Sequence, residues 1–273
     1  MKTDEIKILF SDLDGTLLTD DKSINKEDLQ AIEDMISKGH KFVIATGRPL
    51  FSAVHIAKKY DWHREGFFIS CYNGGMVYDC YRQELVVEYP LKLSEVKYVF
   101  DRAYEMGFHI HTYDDEYVVT EHRTREFEAY LKGINERGIV VKDIREHFKK
   151  DPIKFIVVNL ESPKRLEHFQ KALFPYTKGR MKHTFSNPIL LEYSHPLASK
   201  GASIRLLAEH FKSPMENTIA CGDEENDKSM IEAAGVGVLM ANGNMKLKNV
   251  ADYITEKDNN SGGIAEVIKK FVL

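Results

Sequence analysis

The sequence contains few cysteines and no long apolar run. The three cysteines, Cys71, Cys80 and Cys221, are scattered over 273 residues without paired metal-ligand spacing. This usage argues against a disulfide framework and a cysteine-based zinc site, and it favours a reducing cytoplasm. No apolar run approaches the roughly 20 residues that a membrane-spanning helix needs, so we expect no membrane partner.

A strong charge of one sign is also lacking. The formal net charge is -4 and no basic tract stands out, so nucleic acid is not an expected partner. Residues 1–5 lack the apolar region and cleavage site of a signal peptide, and we therefore expect a cytoplasmic protein. With 43% hydrophobic and 29% charged residues, the chain can form one large domain or two ordinary ones.

One stretch near the start organises the rest of the chain. The apolar run at residues 6–10 predicts a buried strand, and it is followed by Asp12 and Asp14, then a glycine and a hydroxyl. If the extended geometry continues, the two carboxylates point the same way and repel each other. Mg²⁺ is the simplest ion that would offset this repulsion, because it prefers oxygen ligands. The alternative is a solvated turn after a strand.

Strands and helices alternate in the first and last parts of the chain. This pattern predicts an α/β fold with a parallel sheet covered by helices. Between about residues 85 and 193 the pattern changes to hairpin-like strands and longer amphipathic helices, including predicted helices at 94–106 and 121–137. We therefore expect a core formed by 1–84 and 194–273, with 85–193 as an inserted α+β domain.

Polar side chains cluster at four predicted strand ends or helix starts. They are Asp12 with Asp14, Thr46, Lys200, and Asp223 with Asn226 and Asp227. Each alone has an ordinary explanation as a helix cap, a solvated charge or a solvated loop. Because ligands bind outside the carboxyl ends of the strands in open parallel sheets, their joint occurrence indicates one site.

These residues resemble the motifs of the haloacid dehalogenase superfamily of phosphohydrolases. The four similar segments are 12–16 (DLDGT), 45–48 (ATGR), 199–201 (SKG) and 222–227 (GDEEND). The turn at 73–75 (NGG) and the large insertion before the third motif resemble the Cof-type subfamily. The resemblance implies a Rossmann-like core with an inserted α/β cap that discriminates between leaving groups.

The C-terminal part also resembles the subfamily, with departures. The run 240–243 (MANG) is similar to a subfamily segment, but Ala241 stands where glycine is usual, and Gly243-Asn244 replaces an alanine-containing turn. The effect of these departures on substrate entry is left open. The catalytic positions show no departure from the family motifs.

The resemblance implies a phosphoaspartyl mechanism. Asp12 would attack the phosphorus, and Asp14 would protonate the leaving oxygen and then activate water. Thr46 would contact the phosphate oxygens, and Lys200 would offset the charge of the transferring phosphoryl group.

The resemblance also implies a magnesium site. Asp12, the backbone carbonyl of Asp14, and Asp223 would bind Mg²⁺. Asn226 and Asp227 would contact the groups around the ion rather than the ion itself, with Asp227 orienting Lys200 or a metal-bound water.

Further residues would bind the substrate phosphate. Besides Thr46 and Lys200, these are the Gly47 amide, Arg48 and Asn73. A helix N-terminus such as the one after Gly47 suits phosphate oxygens. Arg48 could contact substrate or brace the cap, and both interpretations stay open.

Residues outside these motifs receive simpler interpretations. His109 and His111 could line a cleft or bind a metal, although exposed strand histidines are commoner. We expect Trp62 to be a packing residue, and Glu224 and Glu225 to be solvated.

Three functions fit the sequence. The first is a Mg²⁺-dependent phosphatase acting on small phosphate esters, such as sugar phosphates or a phosphorylated cofactor, as a monomer or homodimer. The second is a sugar phosphomutase, which would use the same aspartate pair. The third is a phospho-switch or binding protein, which the second aspartate argues against because a signalling phosphoaspartate must be long-lived.

Overall fold

The computed structural model describes residues 6–273, so the expectation for residues 1–5 lies outside the described part. Two compact units are present. The first comprises the described residues up to Val87 together with Ser199–Leu273, and the second comprises Glu88–Ala198. These limits lie a few residues from the predicted domain boundaries, and the roles assigned to the domains stay a prediction.

The described residues form strands and helices that alternate in parts of the chain and occur as consecutive strands in others. The strands are β1 Ile8–Ser11, β2 Lys41–Ala45, β3 Phe67–Cys71, β4 Met76–Asp79, β5 Glu84–Glu88, β6 His109–Tyr113, β7 Val118–Thr120, β8 Gly138–Val140, β9 Lys154–Val158, β10 Lys182–Asn187, β11 Leu190–Ser194, β12 Thr218–Gly222, β13 Val236–Leu239 and β14 Tyr253–Ile254. The α-helices are α1 Lys26–Ser37, α2 Leu50–Lys59, α3 Leu93–Glu105, α4 Arg125–Ile134, α5 Ile144–His147, α6 Pro163–Thr177, α7 Lys200–His210, α8 Lys228–Ile231 and α9 Gly263–Val267. Among the described residues no helix has the length and apolarity to cross a membrane.

The first unit is built on an eight-stranded sheet in the order β14-β13-β12-β1-β2-β3-β4-β5. The first six strands of this order pair in parallel, and β4 pairs with β3 in the antiparallel direction. The predicted α/β fold with a parallel-sheet core is therefore confirmed. All residues of β1 are buried between its neighbours, which explains the apolar run. The segment after β1 consequently starts at the middle of the sheet's carboxyl edge.

Helix caps fix where the flanking helices begin. The Asn25 side chain accepts a hydrogen bond from the Glu27 amide at the start of α1. Ser199 does the same for the Ala202 amide at the start of α7. These caps satisfy amides that would otherwise lack a helical partner. The cap at Ser199 makes Lys200 the first residue of α7.

The second unit is built on a six-stranded sheet in the order β10-β11-β9-β6-β7-β8. Its pairs are antiparallel except for β7 with β8. One face of the sheet packs on helices α3 and α6 through a buried apolar cluster that includes Phe100, Phe155, Phe169 and Tyr193. This arrangement is the predicted α+β architecture.

Some local predictions were wrong. The predicted helix at 121–137 is the shorter α4, because Thr124 caps its start and Asn135 ends it in a left-handed conformation with φ 54°. The commoner of the interpretations weighed for His109 and His111, exposed strand histidines, is wrong, because both are buried and their rings share a hydrogen bond of 3.1 Å. Burial lowers the pKa of His109 to about 4 and that of His111 well below its usual value, so both rings are neutral at neutral pH. Trp62 is buried against Phe67, as predicted.

Candidate functional site

The central strand β1 delivers Asp12 to the carboxyl edge of the sheet. The Asp12 amide donates to the Cys221 carbonyl at 3.0 Å, which ties it to β12. The strand ends at Ser11 and the chain then turns, with the Leu18 amide donating to the Leu13 carbonyl at 2.8 Å. The extended geometry expected for Asp12 and Asp14 therefore does not continue, and each carboxylate has its own surroundings.

Gly15 allows this turn to approach the fourth motif closely. Its φ is +82°, and a Cβ added to it would lie 2.3 Å from Asp223 Oδ2. Glycine is the residue that adopts this conformation without strain. The next residue, Thr16, donates its hydroxyl to Asp223 Oδ1 at 2.8 Å. The turn after Asp14 is thus held directly against Asp223.

Lys200 is completely buried between two carboxylates. Its ammonium donates to Asp12 Oδ1, and to Asp227 Oδ1 at 2.5 Å. Burial alone would lower the pKa of Lys200, but the charges of Asp12 and Asp227 raise it above its usual value. A buried ammonium is tolerated only when it is paired in this way. Lys200 is therefore a fixed positive charge beside Asp12.

Three buried aspartates share one small region. One carboxylate oxygen each from Asp12, Asp223 and Asp227 lie within 4.8 Å of one another. Burial raises the pKa of Asp223 to about 6, and burial together with the charge of Asp227 raises that of Asp12 against the opposing effect of Lys200. Three carboxylates exceed the charge of one ammonium, so the oxygen donor set suits a divalent cation such as Mg²⁺.

Other predicted members of the fourth motif surround this cluster. Asp227 Oδ2 accepts from the backbone amides of Asp223 at 2.9 Å and Glu224 at 3.1 Å. Asn226 lies partly buried in the 3-10 turn that ends at Asp227. Glu224 and Glu225 are exposed, as predicted.

Asp14 has different partners. Arg48 donates to both of its carboxylate oxygens, from Nε at 2.8 Å and from Nη2 at 2.7 Å, and the Lys22 ammonium donates to Oδ1 at 2.8 Å. Although burial raises the pKa of Asp14, these hydrogen bonds and charges lower it below its ordinary value. Arg48 thus contacts the proposed acid/base, a partner that the sequence interpretation had not considered.

The remaining predicted residues meet beside α7. The Asn73 amide donates to the Thr46 carbonyl at 2.9 Å, and the Thr46 hydroxyl accepts from the Arg48 amide at 3.2 Å. The Asn73 side chain packs against Gly47, since a Cβ added to Gly47 would lie 3.1 Å from Asn73 Oδ1. The structure therefore brings Thr46, Gly47 and Asn73 together.

The turn at residues 72–74, which contains Asn73, packs against the start of α7. Tyr72, Asn73 and Gly74 are all left-handed, with φ of 53°, 55° and 84°. A Cβ on Gly74 would lie 2.1 Å from the Ser199 carbonyl oxygen. The predicted phosphate-binding residues and Lys200 are consequently neighbours in the fold.

Two residues of this region were not predicted from the sequence. Lys22 contacts Asp14, and Thr16 contacts Asp223. The position of Thr16 directly after the Asp-x-Asp-Gly segment was a usable signal. Lys22 lies in an exposed polar turn, where a lysine is unremarkable, and no pattern pointed to it.

Comparison with known proteins identifies the family. Residues 9–268 match the family of haloacid dehalogenase-like hydrolases. The chain belongs to this family. The predicted resemblance is therefore confirmed over nearly the whole chain.

Relatives within the haloacid dehalogenase-like hydrolases are named as phosphatases. The chain is 31% identical over 269 residues to the "Putative phosphatase M6_Spy0533" of Streptococcus pyogenes, with 98% of this chain and 99% of the relative covered. It is 27% identical to the 5-amino-6-(5-phospho-D-ribitylamino)uracil phosphatase YcsE of Bacillus subtilis, with 98% and 97% covered.

A solved structure extends the likeness to the fold. The haloacid dehalogenase-like hydrolase from Bacteroides thetaiotaomicron superposes with a TM-score of 0.89 at 29% identity, and 97% of this chain and 99% of that chain are covered. The chain is an enzyme, a phosphatase of this family.

Proposed function

We propose that this phosphatase hydrolyses small phosphorylated metabolites in a Mg²⁺-dependent reaction through a phosphoaspartyl intermediate on Asp12. The observation that carries the proposal is the buried Lys200 ammonium, which lies between Asp12 and Asp227 at the centre of the sheet's carboxyl edge. A carboxylate held beside a fixed positive charge can approach an anionic phosphate, which a solvated aspartate on a loop does poorly.

In this proposal the two aspartates of the first motif divide the work. Asp12 attacks the phosphorus and releases the alcohol, so hydrolysis is split into two easier steps. Asp14 donates a proton to the leaving oxygen and later accepts one from water. The Lys200 ammonium favours the ionised form of Asp12 that the attack needs. The half-exposed position of Asp14 lets it exchange protons with water, although it must part from Arg48 and Lys22, which lower its pKa, before it can carry a proton. Arg48 and Lys22 hold the Asp14 carboxylate in place until substrate binds.

The proposed metal site uses the carboxylate cluster. Asp12, the Asp14 backbone carbonyl and Asp223 would hold Mg²⁺, with Asn226 and Asp227 behind them. The ion would supply positive charge where the nucleophile meets the phosphate. The need is large, because two unit charges about 4 Å apart repel by about 4 kcal/mol at an effective dielectric of about 20. Lys200 and the ion together would offset this repulsion.

Substrate recognition is proposed to involve both units. Thr46, Gly47, Arg48 and Asn73 would bind the phosphate oxygens. The second unit would act as the cap that selects the leaving group and excludes water. A small phosphate ester as the substrate is supported by the name of the relative YcsE, a 5-amino-6-(5-phospho-D-ribitylamino)uracil phosphatase. The proposed place of action is the cytoplasm, which the three scattered cysteines support.

A panel of phosphorylated metabolites, assayed with Mg²⁺ for release of inorganic phosphate, tests this proposal. We expect turnover of sugar phosphates or phosphorylated cofactors, and a loss of at least about 10³-fold in kcat for Asp12→Asn. The exposed Glu225→Gln in the fourth motif is the control and should retain activity. Isomerised sugar phosphate without free phosphate would indicate a phosphomutase instead. A phosphoenzyme that persists without turnover would indicate a phospho-switch.

A further inference from the structure

Two asparagines hold the turn after Asp14 at both of its ends. Asn242 donates from Nδ2 to the Gly15 carbonyl at 2.7 Å. Asn259 donates from Nδ2 to the Leu18 carbonyl at 2.9 Å. Both asparagines lie more than two hundred residues from the turn in sequence. Neither belongs to the four motifs that supply the proposed catalytic groups.

The two asparagines also hold each other. The backbone amide of Asn259 donates to Asn242 Oδ1 at 3.2 Å. The Asn242 side chain therefore accepts with its oxygen while it donates with its nitrogen to Gly15. Asn259 is buried, whereas Asn242 is exposed. This shared hydrogen bond makes the pair one brace, which we call the asparagine brace. Each hydrogen bond in it is expected to be directional, and together they fix the turn in one position.

The loop that carries Asn242 also contacts the other side of the carboxylate cluster. In this loop the Asn244 amide donates to the Asp223 carbonyl at 2.7 Å, and the Met240 amide donates to the Gly222 carbonyl at 3.0 Å. One loop is therefore bonded both to Gly15 and to Asp223. The tight approach between Gly15 and Asp223 gives this arrangement little room to shift.

We propose that Asn242 and Asn259 are positioning residues that set the Asp14–Gly15 backbone relative to Asp223, and that they thereby set the affinity of the site for Mg²⁺. This inference rests on the proposed function, in which the Asp14 carbonyl and Asp223 are ligands of the same ion. Gly15 is a permissive hinge, so without the brace the carbonyl before it gains orientations that do not suit the ion. Residues that orient metal ligands commonly change metal affinity about 10- to 100-fold when they are removed.

Titration of the protein with Mg²⁺ alone, by calorimetry and without substrate, tests the proposal. We expect Asn242→Ala to weaken Mg²⁺ binding by about tenfold, since it removes the hydrogen bond to Gly15. Asn242 is exposed, so the variant should fold. The control is Asn187→Ala, which removes another exposed asparagine with one turn hydrogen bond, to the Ile189 amide. The control should bind Mg²⁺ as the unaltered protein does.

Kinetics provide a second readout. For Asn242→Ala we expect the Mg²⁺ concentration for half-maximal activity to rise by a similar factor, while kcat at saturating Mg²⁺ and KM for the phosphate ester change little. Unchanged Mg²⁺ affinity with a lower melting temperature would show a merely structural role and overturn the inference, although the proposed phosphatase mechanism would stand. Failure of the unaltered protein to bind Mg²⁺ would overturn both the inference and the metal dependence of the proposed function.

Discussion

Asp12 and Asp14 are separated by one residue, but their environments are opposite in kind. Asp12 is buried and accepts a hydrogen bond from the Lys200 ammonium. Asp14 is half-exposed and accepts hydrogen bonds from Arg48 and Lys22. Environments of this kind set the roles of paired carboxylates, and here Asp14 must separate from Arg48 and Lys22, which lower its pKa, before it can donate a proton. The local environment, rather than the spacing in the sequence, is what distinguishes the proposed nucleophile from the proposed acid/base.

Removal of Lys200 is expected to destabilise the fold. In Lys200→Met, Asp12 and Asp227 lose their shared ammonium while remaining buried, so we predict a decrease of about 3–5 kcal/mol in the free energy of unfolding at neutral pH. Urea denaturation without added metal measures it. The control is Lys228→Met, which breaks the half-exposed pair with Glu232 and should cost at most about 1 kcal/mol. Equal losses in the two variants would contradict the assignment of Lys200 as a buried structural charge.

A buried aspartate outside the site gives a pH-dependent prediction. Asp28 of α1 is fully buried, its Oδ1 accepts from the Ala265 amide at 2.6 Å, and burial raises its pKa to about 6 from 3.8. The folded state therefore holds this proton to a higher pH than the unfolded state does. Asp28 accordingly costs stability that grows as pH rises from about 4 to 6 and then stays constant, to a total of about 3 kcal/mol.

The substitution Asp28→Asn should remove this dependence. We expect the variant to be more stable than the unaltered protein at pH 8, and the difference to disappear at pH 4, because the amide stays neutral at both values. Chemical denaturation at a series of pH values measures the difference. The contradicting result is a variant that is less stable than the unaltered protein at pH 8 but equally stable at pH 4. It would show that the fold stabilises the ionised Asp28 carboxylate.

At the scale of elements, the close packing of the turn at residues 72–74 can be tested by substituting Gly74 in this turn and Gly39 after α1. Gly74 and Gly39 have nearly the same φ, +84° and +86°, but only Gly74 has backbone atoms in the space of a Cβ. We expect Gly39→Ala to cost roughly 1–2 kcal/mol from the backbone conformation alone. Gly74→Ala should cost clearly more and lower activity, because the Ser199 carbonyl and the start of α7 must move. Similar costs in thermal or urea unfolding would show that the close approach to Ser199 is unimportant.

The sequence predicted the central elements better than their ends. The apolar run of β1 and the apolar spacing of α3 have strong local signals, and both elements were predicted, at residues 6–10 and 94–106. The end of α4 was not, because Glu136 and Arg137 are good helix formers, whereas the left-handed conformation of Asn135 stops the helix before them. Strand β4, which lies between β3 and β5, was missed as well, since only two of its four residues are buried and so short a run gives a weak alternating pattern.

At the scale of the whole molecule, topology explains why the site could be predicted. The parallel order of β12, β1 and β2 places the ends of these strands side by side, so Asp12, Thr46 and Asp223 had to lie at one edge. Contacts made by exposed side chains on turns and loops could not be derived in this way. The bond from Lys22 to Asp14 and the brace from Asn242 to Gly15 are of this second kind.

The central claim is that phosphate is transferred to Asp12 during turnover. Rapid acid quenching of the enzyme with Mg²⁺ and a radiolabelled phosphate ester that it hydrolyses, followed by peptide mapping, tests the claim most directly. We predict covalent label on the peptide that contains Asp12, at a level that rises and then falls within a single turnover, and no label in Asp12→Asn. Hydrolysis at the full rate with no label on Asp12, or label on another residue, would contradict the account.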